Sequence, residues 1–249
     1  MKLIVNADDF GISEIINKAI AQAFEENLAS SATIMTNMPG FENACELINE
    51  YNLNGKIGIH LNLVDGYPLT ERMTQCHKFC DDNGMFNGER KTIFYLNREE
   101  RGAVYEEFQA QIDKLMSRGV IPTHIDSHHH YHTEWAIFRE TIRIAHKNEI
   151  SSVRLTRNCG NGIKGLKKLY KIIYNSVLRA NRLSDIRYFG SAEDVMTISK
   201  PELYSIEIMV HPAFDKDGNL LDLSTGEKLQ SLIEDIKAFT SKINIVSYL

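Results

Sequence analysis

The chain has 249 residues, 28 basic and 33 acidic, a formal net charge of −5 at pH 7, and 43% hydrophobic residues. That length supports one large domain such as an α/β barrel, or two small ones, and the apolar content is enough for a sizeable core. The acidic balance argues against a general nucleic-acid binder, whose footprint is basic, and no run reaches the length of a membrane span.

In chain order, residues 2–7 predict a short buried strand that runs into Asp8-Asp9-Phe10-Gly11. The carboxylates come too early for a signal peptide. Ser13 predicts an N-cap, with a helix to about residue 24 and Ile16, Ala19, Ile20 and Ala23 as its stripe. A strand over 31–36, a Pro39-Gly40 turn, a helix over 41–51 and a strand over 57–63 holding His60 follow. Strand alternating with helix predicts parallel strands with helical crossovers. Residues 64–97 are rich in turn signals. A stretch this long without elements predicts a functional loop or an inserted subdomain, serving as a lid or an oligomer contact; in the second case the protein is a homodimer. Its aromatics Tyr67, Phe79, Phe86 and Phe94 are candidates for stacking on a ligand or for core packing.

Residues 99–118 predict the clearest helix, with Val104, Phe108, Ile112 and Leu115 on one face. Next comes Thr123-His124-Ile125-Asp126-Ser127-His128-His129-His130-Tyr131-His132, with five of the nine histidines. On a strand, alternation puts His124, Asp126 and His128 on one face. A helix over 133–148 follows, then a strand over 152–157 with Arg154 and Arg157 on opposite faces. A basic helix over 164–181 is expected to turn Leu166, Leu169, Ile173 and Val177 inward. Weaker elements lie at 186–189 and 196–197. A strong strand over 204–210 ends at His211-Pro212, and a helix over 226–241 and a strand over 243–248 complete the order. There is no repeat, low-complexity segment or linker, so a single domain over 1–249 is expected. Cys45, Cys76, Cys80 and Cys159 read as reduced thiols and fit a cytoplasmic setting. Cys76 and Cys80, even with His77, fall short of a four-ligand zinc site.

Four apolar strands therefore end in catalytic residue types: Asp8 and Asp9, His60, the Asp126/His128 cluster, and His211. In a parallel barrel all strand C-termini meet at one rim. Histidines and a carboxylate around a divalent metal with open positions form a hydrolytic arrangement, in which a neighbouring carboxylate serves as base and a separate histidine as acid.

Asn6-Ala7-Asp8-Asp9-Phe10-Gly11, Gly58-Ile59-His60, Thr123-His124-Ile125-Asp126-Ser127-His128-His129-His130 and His211-Pro212-Ala213-Phe214 resemble the motifs of the YdjC/ChbG-like carbohydrate deacetylases. The resemblance spans residue 2 to about 249 and is weakest over 64–97. It implies a distorted (β/α) barrel of the glycoside hydrolase/deacetylase type. It also implies metal-dependent removal of N-acetyl groups from sugars such as chitooligosaccharides, with magnesium as the metal. Carried over, the ligands fall on Asp9, His60 and His128, the general base on Asp8, and the acid that protonates the leaving amine on His211. Histidine also suits zinc or another transition metal, and the His128-x3-His132 spacing makes His132 the alternative to His60. Asp126 is expected to orient a ligand histidine. His124, His129 and His130 are expected to pack or line the rim. Arg157 is expected to bind substrate hydroxyls, pair with Asp8 or form a structural ion pair. The rival readings are a barrel metallophosphoesterase, which would use more carboxylates and more metals, and a non-catalytic metal- or sugar-binding regulator.

Overall fold

The computed structural model describes residues 1–88, 93–162, 164–240 and 242–248. The N-terminal half alternates as its hydrophobic pattern requires: β1 (Lys2–Phe10), α1 (Glu14–Glu25), β2 (Ser31–Ile34), α2 (Phe41–Glu50) and β3 (Ile57–Leu61). Short α3 (Glu71–Thr74) and long α4 (Arg98–Met116) lead to β4 (Ile125–Ser127) and α5 (Trp135–Lys147). The remainder comprises α6 (Gly165–Ala180), β5 (Tyr188–Gly190), α7 (Ala192–Val195), β6 (Ser205–Val210), β7 (Pro212–Phe214), β8 (Leu220–Asp222), α8 (Leu229–Phe239) and β9 (Asn244–Ile245).

The strands line up in the order β4-β3-β2-β1-β6-β5, every neighbouring pair parallel. β9 pairs with Lys2 and Leu3 of β1, below the point where β2 begins its own pairing at Asn6. The gap between β4 and β5 is spanned by the extended segment 152–158. Its Arg154 N–H bonds the Ile125 carbonyl and its Asn158 N–H the Phe189 carbonyl, while Val153 makes one parallel bridge to Ile125. The result is the expected distorted (β/α) barrel, closed on this side by a segment predicted as a strand and realised mostly as extended chain. Inner strands are buried on both faces, by helices outside and by the barrel interior; all five residues of β3 are buried.

Helix starts follow local chemistry. The Ser13 hydroxyl accepts from Ile16 N at α1, and Asn97 with Glu100 forms a capping box at α4. Val104, Phe108, Ile112 and Leu115 are all buried, as their spacing requires. Glu107 on the same helix is fully buried because it receives the Leu69 and Thr70 N–H groups and the Thr70 hydroxyl. That carboxylate staples the irregular stretch to the barrel. Within the stretch Phe79 and Phe86 are buried, whereas Tyr67 and Phe94 are exposed; residues 89–92 lie outside the described set.

Other expectations change as well. Leu166, Leu169 and Ile173 of α6 face solvent instead of the core. The face turned inward carries Tyr174, Asn175 and Leu178, because polar anchors choose it: Tyr174 donates to the His132 carbonyl and Asn175 accepts the Thr156 N–H. α8 starts at Leu229 instead of 226, since Gly226 sits at φ 75° in a turn; the expected end, Ser241, lies outside the described residues. The last strand shrinks from 243–248 to two residues.

Candidate metal and catalytic centre

β1, β3, β4 and β6 run side by side or one strand apart, so their C-terminal ends deliver Asp8, Asp9, His60, His128 and His211 to one rim. These residues, with Ser127, His129 and His130, line a single cavity of about 350 Å³. Asp9 reaches it through a distortion of β1. Its φ is 69°, and the β1–β2 register shifts between Ala7 and Phe10. His129 and His130 also adopt left-handed backbone, at φ 52° and 58°. Three non-glycine residues in this region, each costing on the order of 1 kcal/mol, crowd around one cavity, the usual setting for tolerated strain.

Asp9 Oδ1 lies 2.8 Å from His128 Nδ1 and 3.2 Å from His60 Nε2. Each histidine is gripped from behind by a second carboxylate: His60 Nδ1 donates to Asp126 Oδ1 at 2.6 Å, and His128 Nε2 to Asp65 Oδ2 at 2.9 Å. The carboxylate–histidine arrangement, which orients metal ligands, thus occurs twice around Asp9. Burial opposes charge on His60, but Asp126 and Asp9 outweigh it and push its pKa up to about 10. Burial would likewise raise Asp9, yet His128 and His60 hold it far below the usual carboxylate range.

Behind the cavity stands Arg154, fully buried. Its Nη1 and Nη2 grip Asp8 at 2.6 and 2.7 Å, Nη1 also meets Asp126 Oδ2 at 2.6 Å, and Nε meets Glu207 at 2.6 Å. Despite burial, Arg154 holds Asp8 well below its ordinary pKa. Asn6 Nδ2 donates to Asp8 Oδ1 at 2.9 Å and to Thr33 Oγ1 at 3.1 Å, and Thr33 donates on to Asp126. Glu207, raised to about 6 by burial against the pull of Arg154, accepts from the Tyr248 hydroxyl. Tyr248 stacks on His124 at 3.7 Å, and His124 Nε2 donates to Asn6 Oδ1 at 3.2 Å. His124 therefore supports the floor of the site instead of facing the cavity. Only glycine fits beside it, since a Cβ on Gly58 would lie 2.4 Å from its ring.

His211 is anchored by Asp222 on β8, which accepts the His211 N–H at 2.6 Å and faces its Nδ1 at 3.6 Å. Burial pulls the imidazole down, but Asp222, Asp8 and Asp9 together raise it above its ordinary value. His132 stands apart: its Nδ1 and backbone N–H both meet Ser127 Oγ, at 2.7 and 2.8 Å. Arg157 does not pair with Asp8. It holds Asp194 instead, at 2.5 and 2.6 Å, because it faces away from Arg154 across the 152–158 segment.

The donor set fits a divalent cation. One oxygen or nitrogen from each of Asp9, His60 and His128 lies within 4.8 Å of the others. Asp8, His60 and Asp126 form a second group of that kind, but Arg154 already engages both of its carboxylates, which leaves the Asp9 side open to the cavity.

The chain matches the family described as YdjC-like protein over residues 2–243. The chain belongs to the YdjC-like family. Relatives named "Carbohydrate deacetylase" include one from Halalkalibacterium halodurans, 37% identical over 86% of each chain. Another, from Clostridium beijerinckii, is 31% identical over 97% of this chain and 92% of its own. A crystal structure of a proposed cellobiose-phosphate cleavage protein from Enterococcus faecalis shares the fold at a TM-score of 0.68 and 24% identity, covering 99% of this chain and 97% of that one. Among the described residues no helix is long and apolar enough to cross a membrane.

In this YdjC-like protein, Arg154, Asp65, Glu207 and Asp222 escaped the sequence reading. Arg154 had a signal, an arginine in an apolar strand, but nothing in the spacing says which of Arg154 and Arg157 faces inward. Asp65 sat within the turn signals of an irregular stretch, and Asp222 on a hairpin strand of three residues.

Proposed function

We propose that this YdjC-like protein is a carbohydrate deacetylase that removes N-acetyl groups from oligosaccharides such as chitooligosaccharides by metal-assisted hydrolysis. Asp9, His60 and His128 would hold the metal. A divalent cation there supplies polarisation of the acetyl carbonyl and acidification of the attacking water. Asp8 accepts the proton from that water. Arg154 and Asn6 fix its direction and keep it ionised. His211, whose proton affinity Asp222 and the nearby carboxylates raise, gives a proton to the amine nitrogen as the C–N bond breaks, releasing acetate. Magnesium follows from the family resemblance; two histidine nitrogens in three positions equally suit zinc or another transition metal.

The observation that carries the reading is that Asp8 and His211 share one cavity wall with the donor triad. Metal or sugar binding alone would need neither. A phosphoesterase would want more cations, so a stoichiometry of one metal per chain is expected. The test is acetate release from N-acetylated di- and trisaccharides, with and without chelator. His211→Ala is expected to keep its metal and its KM while losing kcat by about 10²–10⁴-fold, the usual worth of a general acid. Loss of metal in that variant would turn His211 into a ligand and remove the acid from the mechanism.

A further inference from the structure

We propose that the groove beside the catalytic cavity binds the sugar unit next to the one being deacetylated, with Trp135 as its stacking platform and Arg157 as a donor to its hydroxyls. The proposal rests on the oligosaccharide reading above and adds where the rest of the chain lies. The groove has a volume of about 640 Å³ and runs between α6, the start of α5 and the end of the 152–158 segment. His130 lines both it and the 350 Å³ cavity, so the two adjoin. Both volumes fall in the roughly 300–1,000 Å³ range of small-molecule sites.

The chemistry of the lining matches a sugar. A pyranose has an apolar C–H face and a rim of hydroxyls, and asks for an aromatic surface and a few fixed polar groups. Trp135 is 53% exposed in the groove wall, with the Tyr170 ring 6.1 Å away and tilted by 59°. Tyr170 is held by the bond from its hydroxyl to the Thr133 carbonyl. The Tyr170 ring beside Trp135 is therefore set before any ligand arrives, which lowers the ordering cost of binding. Arg157 is equally fixed. Asp194 occupies its Nε and one Nη, while Arg157 lines the groove with 48% of its side chain exposed. A guanidinium carries five N–H donors, so this anchoring leaves others for hydroxyl oxygens. Lys171, whose ammonium donates to the Arg157 carbonyl at 2.8 Å, adds a second nitrogen to the same wall.

Trp135 is the chain's single tryptophan, so indole fluorescence reports on this groove alone. The experiment titrates the metal-loaded wild-type protein with N-acetylglucosamine and its β-linked di- and trisaccharides, reading fluorescence on mixing and acetate afterwards. A saturable fluorescence change is expected with the di- and trisaccharide, at about tenfold lower concentration than any change with the monosaccharide. Trp135→Ala should raise KM for the trisaccharide by up to about tenfold, the scale of one aromatic contact, and leave kcat/KM for the monosaccharide within about twofold. No fluorescence change with the trisaccharide, or equal losses of kcat/KM for short and long substrates in Trp135→Ala, would overturn the groove. A normal fluorescence response with no acetate from any sugar would instead sink the deacetylase reading and leave the groove as a sugar site.

Discussion

His128 is held at both nitrogens, by Asp9 on the cavity side and by Asp65 on the other. A histidine oriented by a carboxylate presents a fixed nitrogen to a metal, and removing such a partner typically costs 10–100-fold in affinity. Asp65→Asn is therefore expected to weaken metal binding by that factor in a calorimetric titration, while His132→Ala leaves it unchanged. Unchanged affinity in Asp65→Asn would mean that Asp65 merely caps a loop. Asp65 lies three residues after Asn62, whose side chain accepts the Asp65 N–H and donates to its carbonyl. The turn after β3 is thus built around these two residues, which explains how an otherwise irregular stretch delivers a carboxylate to the rim. The same scale explains why His124 and His128, two strand positions from Asp126 on either side, take different roles. β4 ends at Ser127, and His128 leads into the left-handed backbone of His129 and His130, where its ring lines the cavity.

At the scale of elements, α6 departs furthest from its sequence pattern. Leu166, Leu169 and Ile173 form an apolar stripe at helical spacing, yet all three are exposed. The buried face is offset by about one residue and carries tyrosines. Tyr174 packs on Phe138 of α5 at 4.0 Å between ring centroids, and its hydroxyl closes on the chain just after β4. Two tyrosines that bury ring area and also bond backbone carbonyls outweigh two leucines and an isoleucine that offer area alone. Leu169→Lys is accordingly expected to change unfolding free energy by less than about 0.5 kcal/mol, as at other surface positions, whereas Tyr174→Ala should cost about 3–5 kcal/mol, the range for a large core aromatic. Urea denaturation of the two variants distinguishes this arrangement from the leucine-inward one, which would reverse the order. Sedimentation of Leu169→Lys beside the wild type would show whether this exposed stripe joins two copies of the chain.

For the molecule as a whole, the barrel interior is organised about charge as much as about apolar contact. Arg154 from the closing segment meets Asp8 from β1, Asp126 from β4 and Glu207 from β6. Each comes from a different strand, so the guanidinium ties the paired strands β1 and β6 to β4 across the side where regular pairing lapses. Tyr248 near the end of the chain completes the hub through Glu207. Breaking a buried ion network by removing one partner leaves unpaired charge and costs about 3–5 kcal/mol. Arg154→Met is expected to lose that much stability in equilibrium denaturation, together with activity, because Asp8 loses its clamp. A loss below about 1 kcal/mol would show that the carboxylates find other partners and that Arg154 is not the hub.

The sequence by itself determined the alternation of strand and helix, the parallel sheet this demands, the buried stripe of α4 and the strand ends that carry Asp8, Asp9, His60, His128 and His211. Those features follow from period, capping and the adjacency of ligand-type residues to apolar runs, all of them local. Tertiary structure alone decided which side chains meet. It turned Arg154 to Asp8 and Arg157 to Asp194, separated His132 from the cluster, brought Asp65 and Asp222 behind their histidines, and rotated α6 onto its tyrosines. Each of these depends on partners tens of residues away or on a choice between two faces of similar polarity, and a hydrogen-bonding group records no address for the partner that will bury it.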